Sequence, residues 1–216
     1  MGHLSKIFWA VVMWIVAGIV ITLLHETPAW SVKTFSWVVT DKWAPAGALL
    51  STIVLLLLMM LYLGLLVRMW LDKNRLLLGE LIGGGAFAVA MYIINLLLKA
   101  RYEQIRPCHQ LQVATECPLV GNFSYPSNHT VIAFGLATGL AFALPGLAYL
   151  AYPLAIVEGV SRVIAGHHYP HDVLAGATLG MLGVLGALWA SQFLILASFG
   201  DRGESRLAAS DANVRR

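Results

Sequence analysis

The sequence predicts an all-α polytopic membrane protein: a bundle of six transmembrane helices with an interfacial helix in the first outer loop. Three observations carry that prediction. Of 216 residues, 59% are hydrophobic and only 12% are charged, with a mean hydropathy of +0.76, whereas an average soluble domain carries about 25% charged residues. A water-exposed surface built from 14 Lys and Arg and 11 Asp and Glu would leave large apolar patches, which monomers rarely tolerate. The apolar runs are long and unbroken, as from Leu49 to Val67, and lack the alternation in segments of about ten residues that marks a β-barrel. At about 20 apolar residues per span, the length accommodates about six spans. An ordinary soluble enzyme, a disordered chain and a disulfide scaffold are excluded.

The first span falls at 7–24. It is longer than the apolar core of a signal peptide, and His25-Glu26-Thr27-Pro28 offers no small-residue cleavage site, so it reads as retained. Ala29 to Trp43 is too short and too polar to cross. Its Trp30, Trp37 and Trp43 suit the headgroup zone, which predicts an interfacial helix on the outer face, with an ordered loop as the alternative. Further spans are expected at 46–67, 76–98, 129–144, 147–165 and 172–198. Small residues at helical spacing, Gly135 with Gly139 and Gly176 with Gly180, allow close packing in lipid. Residues 1–198 read as one domain, and the polar segment 199–216 as a flexible cytoplasmic tail.

Basic residues orient the chain. With the N-terminus cytoplasmic, that side carries Lys6, Arg68, Lys73, Arg75, Arg202, Arg206, Arg215 and Arg216, and the other Lys33, Lys42, Lys99, Arg101, Arg106 and Arg162. Four of those six sit in polar segments with a separate explanation, which leaves eight against two and puts both termini in the cytoplasm. Cys108 and Cys117 then lie in an outward connection, where a disulfide persists. Two free thiols, or metal ligation at an unfavourable spacing, are the alternatives.

Polar residues concentrate in three segments that this topology puts on the outer face: Lys99 to Pro107, Tyr125 to Thr130, and Ser161 to Asp172. Lys99, Arg106 and Arg162 are three cations with few acidic partners, costly near a low-dielectric region unless an anion fills the space between them. Arg offers a fork matched to phosphate oxygens, Lys a point charge, and Ser127 precedes a helix whose first amides favour an anion. On a continuous helix Lys99 and Arg106 would stand about 10 Å apart, so a turn near Pro107 must bring the guanidinium back. A neutral imidazole attacks phosphorus and a protonated one gives its proton to a leaving oxygen. Asp172, four residues after His168, suits the role of orienting that ring, and His129 on another helix is free to act as acid.

Lys99 with Arg106-Pro107, Pro126-Ser127-Asn128-His129, and Ser161-Arg162 with His168 and Asp172 resemble, in order and spacing, the three signature motifs of the type 2 phosphatidic acid phosphatase (PAP2) superfamily. The resemblance implies a six-helix membrane phosphatase with a metal-independent phosphohistidine mechanism. His168 would be the nucleophile, Asp172 its orienting partner and His129 the general acid, while Lys99, Arg106, Ser127, Asn128 and Arg162 would bind phosphate. Asn128 stands where the motif usually has Gly; Asn tolerates positive φ, so the turn is expected to survive. That residue and the Gly-His-His-Tyr-Pro run are most similar to bacterial undecaprenyl-pyrophosphate phosphatases of the BcrC type.

Other residues have competing readings. A zinc cluster at His167, His168, His171 and Asp172 is disfavoured by the surrounding cations, and His167 and His171 read as structural or interfacial. Arg101 and Glu80 read as interfacial. Glu158, one helical turn before Arg162, is expected either to orient it or to be an interfacial carboxylate without a role. His25 and His109 carry no signal. The expected function is hydrolysis of a lipid phosphate or diphosphate at the outer, periplasmic face of a bacterial inner membrane, with undecaprenyl pyrophosphate the first choice of substrate. Phosphatidylglycerophosphate or phosphatidate hydrolysis and lipid phosphotransfer are alternatives, as is a non-catalytic lipid carrier or channel. No metal, cofactor, nucleic acid or obligate protein partner is expected; the partners are the bilayer and the lipid substrate.

Overall fold

In the computed structural model, the backbone is described for residues 3–111 and 116–214, and side chains for 5–111 and 116–192. Among the described residues every regular element is helical: α1 (His3–Glu26), α2 (Ala29–Val38), α3 (Ala44–Leu71), α4 (Arg75–Tyr102), α5 (Pro107–Gln110), α6 (Asn128–Ala143), a 3₁₀ turn (Pro145–Leu147), α7 (Ala148–Ile164) and α8 (Pro170–Val214). Among the described residues five stretches are long and apolar enough to cross a membrane: Ser5–Glu26, Ala44–Leu71, Arg75–Gln110, Pro145–Ile164 and Pro170–Gln192. α6 is also apolar but shorter, at 16 residues. The expected flexible tail over 199–216 concerns side chains outside the described residues; the backbone of α8 is helical to Val214.

Burial is distributed as lipid requires. α1, α3 and α4 turn Phe8, Ile19, Leu57, Leu63, Val89 and Leu97 outward, since apolar surface facing acyl chains costs nothing in a bilayer. α6 does the opposite: Val131, Ala133, Ala137 and Leu140 are wholly buried among α4, α7 and α8. The α6–α8 crossing depends on glycine. A Cβ added at Gly176 would stand 2.7 Å from the Ser127 carbonyl, and one at Gly180 2.5 Å from that of Val131. The resulting backbone approach lets the Ser127 amide donate to the Asp172 carbonyl at 3.0 Å, joining the start of α6 to the start of α8.

The polar ends meet at one end of the bundle. α4 ends at Tyr102 because Glu103 adopts a left-handed conformation (φ 48°) and its N–H returns to the Lys99 carbonyl at 3.0 Å. The turn expected near Pro107 therefore starts three residues before Arg106, and Pro107 opens the short α5. Gly166 (φ 73°) makes the second tight turn, between α7 and α8. Cys108 and Cys117 are bonded, with Cα atoms 5.8 Å apart, and staple the connection that follows. Ala29–Val38 is a helix, as expected, and it docks on the bundle through Phe35, whose ring lies 5.1 Å from that of Tyr169.

Candidate active site

The three cations expected to hold phosphate are all buried near one another. Lys99, at the end of α4, donates Nζ to the carbonyl of Ser124 at 3.0 Å and to that of Phe123. Arg106 donates Nε to the Asn122 carbonyl at 2.6 Å, Nη2 to Asn122 Oδ1 at 3.0 Å, and Nη1 to the His167 carbonyl at 3.1 Å. These bonds tie the two cations to the segment leading into α6 and, through His167, to the α7–α8 turn. Arg162, 6% exposed on α7, differs: its Nε is buried without a hydrogen-bond partner among the described residues. Leaving a guanidinium donor unmet costs free energy that an incoming oxyanion recovers.

His168 is fully buried at the α7–α8 turn. Its Nδ1 is 3.3 Å from Asp172 Oδ2, and its Nε2 is 2.9 Å from Arg106 Nη1. A guanidinium only donates. The pairing therefore assigns an Nε2 lone pair directed at the cations and an Nδ1 proton directed at Asp172. Burial, then the nearby Arg106, Arg162 and Lys99, hold the His168 pKa well below the usual histidine range, so the ring is neutral at pH 7. His129, on the first turn of α6, is half-buried and makes no side-chain hydrogen bond among the described residues.

Asp172 has more partners than its spacing from His168 suggested. Oδ2 accepts from the Tyr169 amide at 2.9 Å and from the Ser124 hydroxyl, besides facing His168. Oδ1 accepts from Gln104 Nε2 at 2.9 Å and lies 3.1 Å from His171 Nε2. Gln104 Oε1 is also 3.0 Å from His171 Nε2, closing a triangle. His171 is thus not interfacial: it is 1% exposed, touches the orienting carboxylate, stacks on Tyr169, and takes Ser31 Oγ of α2 at its amide. Gln104, Ser124 and Ser31 are not legible in the sequence, because an uncharged polar residue carries no spacing signal of its own. Gln104→Leu keeps the volume and removes both bonds. A hydrogen bond to a charged group contributes about 1.5–3 kcal/mol, so turnover should fall about 10- to 100-fold. KM should change little because Gln104 does not touch the cations; steady-state kinetics separates the two.

Two expectations about backbone and charge need correction. Asn128 needs no positive φ: the non-glycine residues with positive φ among those described are Lys73 and Glu103, and Asn128 is the first residue of α6. The Gly position of the motif is therefore a helix start, and Asn128 uses its side chain to accept from Asn95 Nδ2 at 2.6 Å. Glu158 is fully buried, not interfacial; its carboxylate accepts from Ser51 Oγ at 3.0 Å and Thr130 Oγ1 at 3.3 Å, and its charge acts on Arg162 one turn on. Thr130 Oγ1 also lies 3.0 Å from Ser127 Oγ, so Glu158 reaches the site through α6. Among the described residues no three His, Cys, Asp or Glu side chains converge as metal ligands.

His167 Nε2 lies 3.0 Å from the Glu116 carbonyl, and burial followed by Arg162 lowers its pKa from 6.5 to about 4. Both His167 and His168 are thus harder to protonate folded than unfolded. Between pH 6.5 and 4 the unfolded chain binds protons that folded His167 refuses, so this contribution to stability is intact above 6.5 and is lost on acidification. The thermal midpoint in detergent should fall as pH drops through that window, and less steeply in His167→Asn. A midpoint rising on acidification would contradict the assignment.

The profile of the PAP2 superfamily matches residues 80–195. Undecaprenyl-diphosphatase BcrC of Bacillus subtilis (strain 168) is 28% identical over 118 residues, which cover 55% of this chain and 61% of that protein. Decaprenylphosphoryl-5-phosphoribose phosphatase of Mycobacterium tuberculosis (strain H37Rv) is 34% identical over 122 residues, 56% of this chain and 64% of that one. Both alignments span less than two thirds of the relative's length. The crystal structure of the first transmembrane PAP2 type phosphatidylglycerolphosphate phosphatase from Bacillus subtilis superposes with a TM-score of 0.52 at 22% identity, covering 90% of this chain and 97% of that one. At that identity the likeness establishes the fold.

Proposed function

The chain belongs to the PAP2 superfamily, and from that premise we propose that it is an integral membrane lipid phosphatase working through a phosphohistidine. The observation that carries this reading is the neutral His168, held at Nδ1 by Asp172, with its Nε2 lone pair turned toward Arg106 beside Lys99 and Arg162. The terminal phosphate of the substrate takes the guanidinium donors of Arg106 and Arg162, the Lys99 ammonium, Ser127 and the Asn128 amide. Its arrival draws Arg106 off His168. Nε2 then attacks phosphorus, the bond from phosphorus to the lipid-borne oxygen breaks, and His129 gives that oxygen its proton. His129, now neutral, takes a proton from water as the water oxygen attacks the phosphohistidine. Inorganic phosphate leaves and His168 is restored.

The membrane arrangement follows the same reading. α6 acts as the sixth span; its length suffices because neighbouring helices, not lipid, surround it. α2 lies in the outer interface, both termini and the tail are cytoplasmic, residues 1–198 act as one unit, and the site opens to the periplasmic side of a bacterial inner membrane. An apolar cavity of about 260 Å³ runs between α3, α4 and α6, lined by Met59, Tyr62, Tyr92, Ile132 and Leu136. Ile132 is one turn below His129 on α6, so a lipid tail in this groove sets the leaving oxygen at the acid.

Undecaprenyl pyrophosphate is the first choice of substrate, supported by the name of the Bacillus subtilis relative. The test is phosphate release by the purified protein from a panel of prenyl diphosphate, phosphatidylglycerophosphate and phosphatidate, with and without chelator. Fastest release from the prenyl diphosphate, insensitive to chelator, is expected. Chelator-sensitive turnover would overturn the metal-independent mechanism, and a faster glycerolipid would overturn the substrate. Label appearing on an acceptor lipid instead of in phosphate would make the protein a transferase, and no turnover on any lipid would leave a carrier.

A further inference from the structure

At the end of the bundle away from the candidate active site there is a further cavity, with a polar rim and an apolar wall. It has a volume of about 430 Å³ and lies where α1, α4, α6 and α8 come together, rimmed by Lys6, Arg75, Glu80, Ser191 and Gln192. Arg75 begins α4 and Lys99 stands 24 residues on, a separation of about 36 Å along the axis. Gln192 stands 20 residues after Asp172 on α8, about 30 Å. Both separations match a hydrocarbon thickness of about 30 Å. The cavity therefore lies at the headgroup level of the opposite leaflet, and its inner wall, which includes Phe142 and Leu188, faces the acyl region.

The rim is arranged for an anion. Lys6 Nζ donates to Gln192 Oε1 at 2.8 Å, which fixes the amide so that its NH₂ group is left to donate elsewhere. The Arg75 side chain is exposed and makes no hydrogen bond or ion pair among the described residues. By contrast Arg68, on the nearby turn, is already paired with Asp72 at 2.7 Å. Two cations against the single carboxylate of Glu80 leave a net positive rim. Glu80 would oppose a bare phosphate, but it can accept from a headgroup hydroxyl. Gly79 lines the cavity, and a Cβ there would meet nothing within 4 Å, so a larger side chain has room to extend into this space. A free anion would have no use for the apolar wall, whereas a lipid would use wall and rim together.

We propose that this cavity is a binding site for an anionic glycerophospholipid of the cytoplasmic leaflet, one whose headgroup carries hydroxyls as well as a phosphate. Lys6 and Arg75 take the phosphate, Gln192 donates to it, Glu80 accepts from a headgroup hydroxyl, and the chains follow Phe142 and Leu188. The ligand is held at the opposite leaflet from the candidate phosphatase site, so occupancy stabilises the inner ends of α1, α4 and α8 without competing with substrate.

The test uses the full-length protein reconstituted in nanodiscs and then analysed by native mass spectrometry for co-retained lipid. Phosphatidylglycerol, phosphatidylcholine and phosphatidylethanolamine of equal chain length serve as probes, with inorganic phosphate and glycerol 3-phosphate as soluble competitors. Preferential retention of phosphatidylglycerol is expected. Removing a juxtamembrane cation weakens an anionic lipid about fivefold, so Lys6→Gln with Arg75→Gln should lower retention about 25-fold. Gly79→Leu should block it by filling the cavity, and hydrolysis of a short-chain substrate in lipid-free detergent should be unchanged in all these variants. Equal retention of the three lipids, or undiminished retention in the charge and Gly79→Leu variants, would overturn the proposal. Displacement by millimolar inorganic phosphate would also overturn it, by showing a free-anion site.

Discussion

His168→Ala is expected to reduce turnover at least about 10³-fold, because the variant lacks the atom that becomes bonded to phosphorus and keeps only the electrostatic part of the site. The cations should survive. Lys99 and Arg106 are anchored to the carbonyls of Asn122, Phe123, Ser124 and His167, and of these bonds only the one from Arg106 Nη1 shares its nitrogen with His168. Phosphate or vanadate should therefore still bind His168→Ala within a few-fold of wild type while turnover is lost. Wild type incubated with labelled substrate and quenched in alkaline detergent should carry acid-labile, base-stable phosphate on His168. Label elsewhere, or turnover in His168→Ala within tenfold of wild type, would remove the nucleophile assignment. The lowered pKa adds a second check. Nε2 stays unprotonated as pH falls through 6.5, so phosphoenzyme formation at saturating substrate should not be lost around that pH, as an ordinary imidazole would require.

What was legible in the sequence divides along physical lines. The spans were legible because lipid imposes a continuous apolar run: expected boundaries at 46–67 and 147–165 meet helices at Ala44–Leu71 and Ala148–Ile164. Charged residues at span ends were legible for the converse reason, since Lys99, Arg106, Arg162 and Asp172 are too costly there to be incidental. Residues whose role depends on burial were not. Gln104, Ser124 and Asn95 are ordinary in composition and matter because the fold seals the first two against the Asp172 carboxylate and the third against the Asn128 side chain. His171 is structural rather than interfacial, and its contact with Asp172 is not legible because nothing in a linear reading shows that a carboxylate has two sides. The Asn128 turn was misjudged because a glycine in a motif suggests positive φ, while here that position starts a helix packed against α8.

Asp172→Asn should be the second largest loss, about 10² to 10⁴-fold in turnover, and its cause is charge more than shape. Asp172 is surrounded by donors on both oxygens: Gln104 and His171 at Oδ1, His168, Ser124 and the Tyr169 amide at Oδ2. An asparagine must point its NH₂ at one of these sets. At the Oδ2 side it would face a fixed backbone N–H and force His168 to carry its proton on Nε2, against Arg106. At the Oδ1 side Gln104 can rotate its amide and present Oε1. The second orientation is favoured and preserves the His168 tautomer, so the fold should persist. What is lost is the negative charge that stabilises His168 as it becomes cationic on attack. Asp172→Leu, by contrast, strands the buried donors and should cost about 3–5 kcal/mol of stability. In a double-mutant cycle Gln104→Leu should add little on top of Asp172→Asn, because both act through the same oxygen and the same ring. Full additivity of the two losses would mean that Gln104 works elsewhere and that Asp172 is not the hub through which α4, α6 and α8 hold His168.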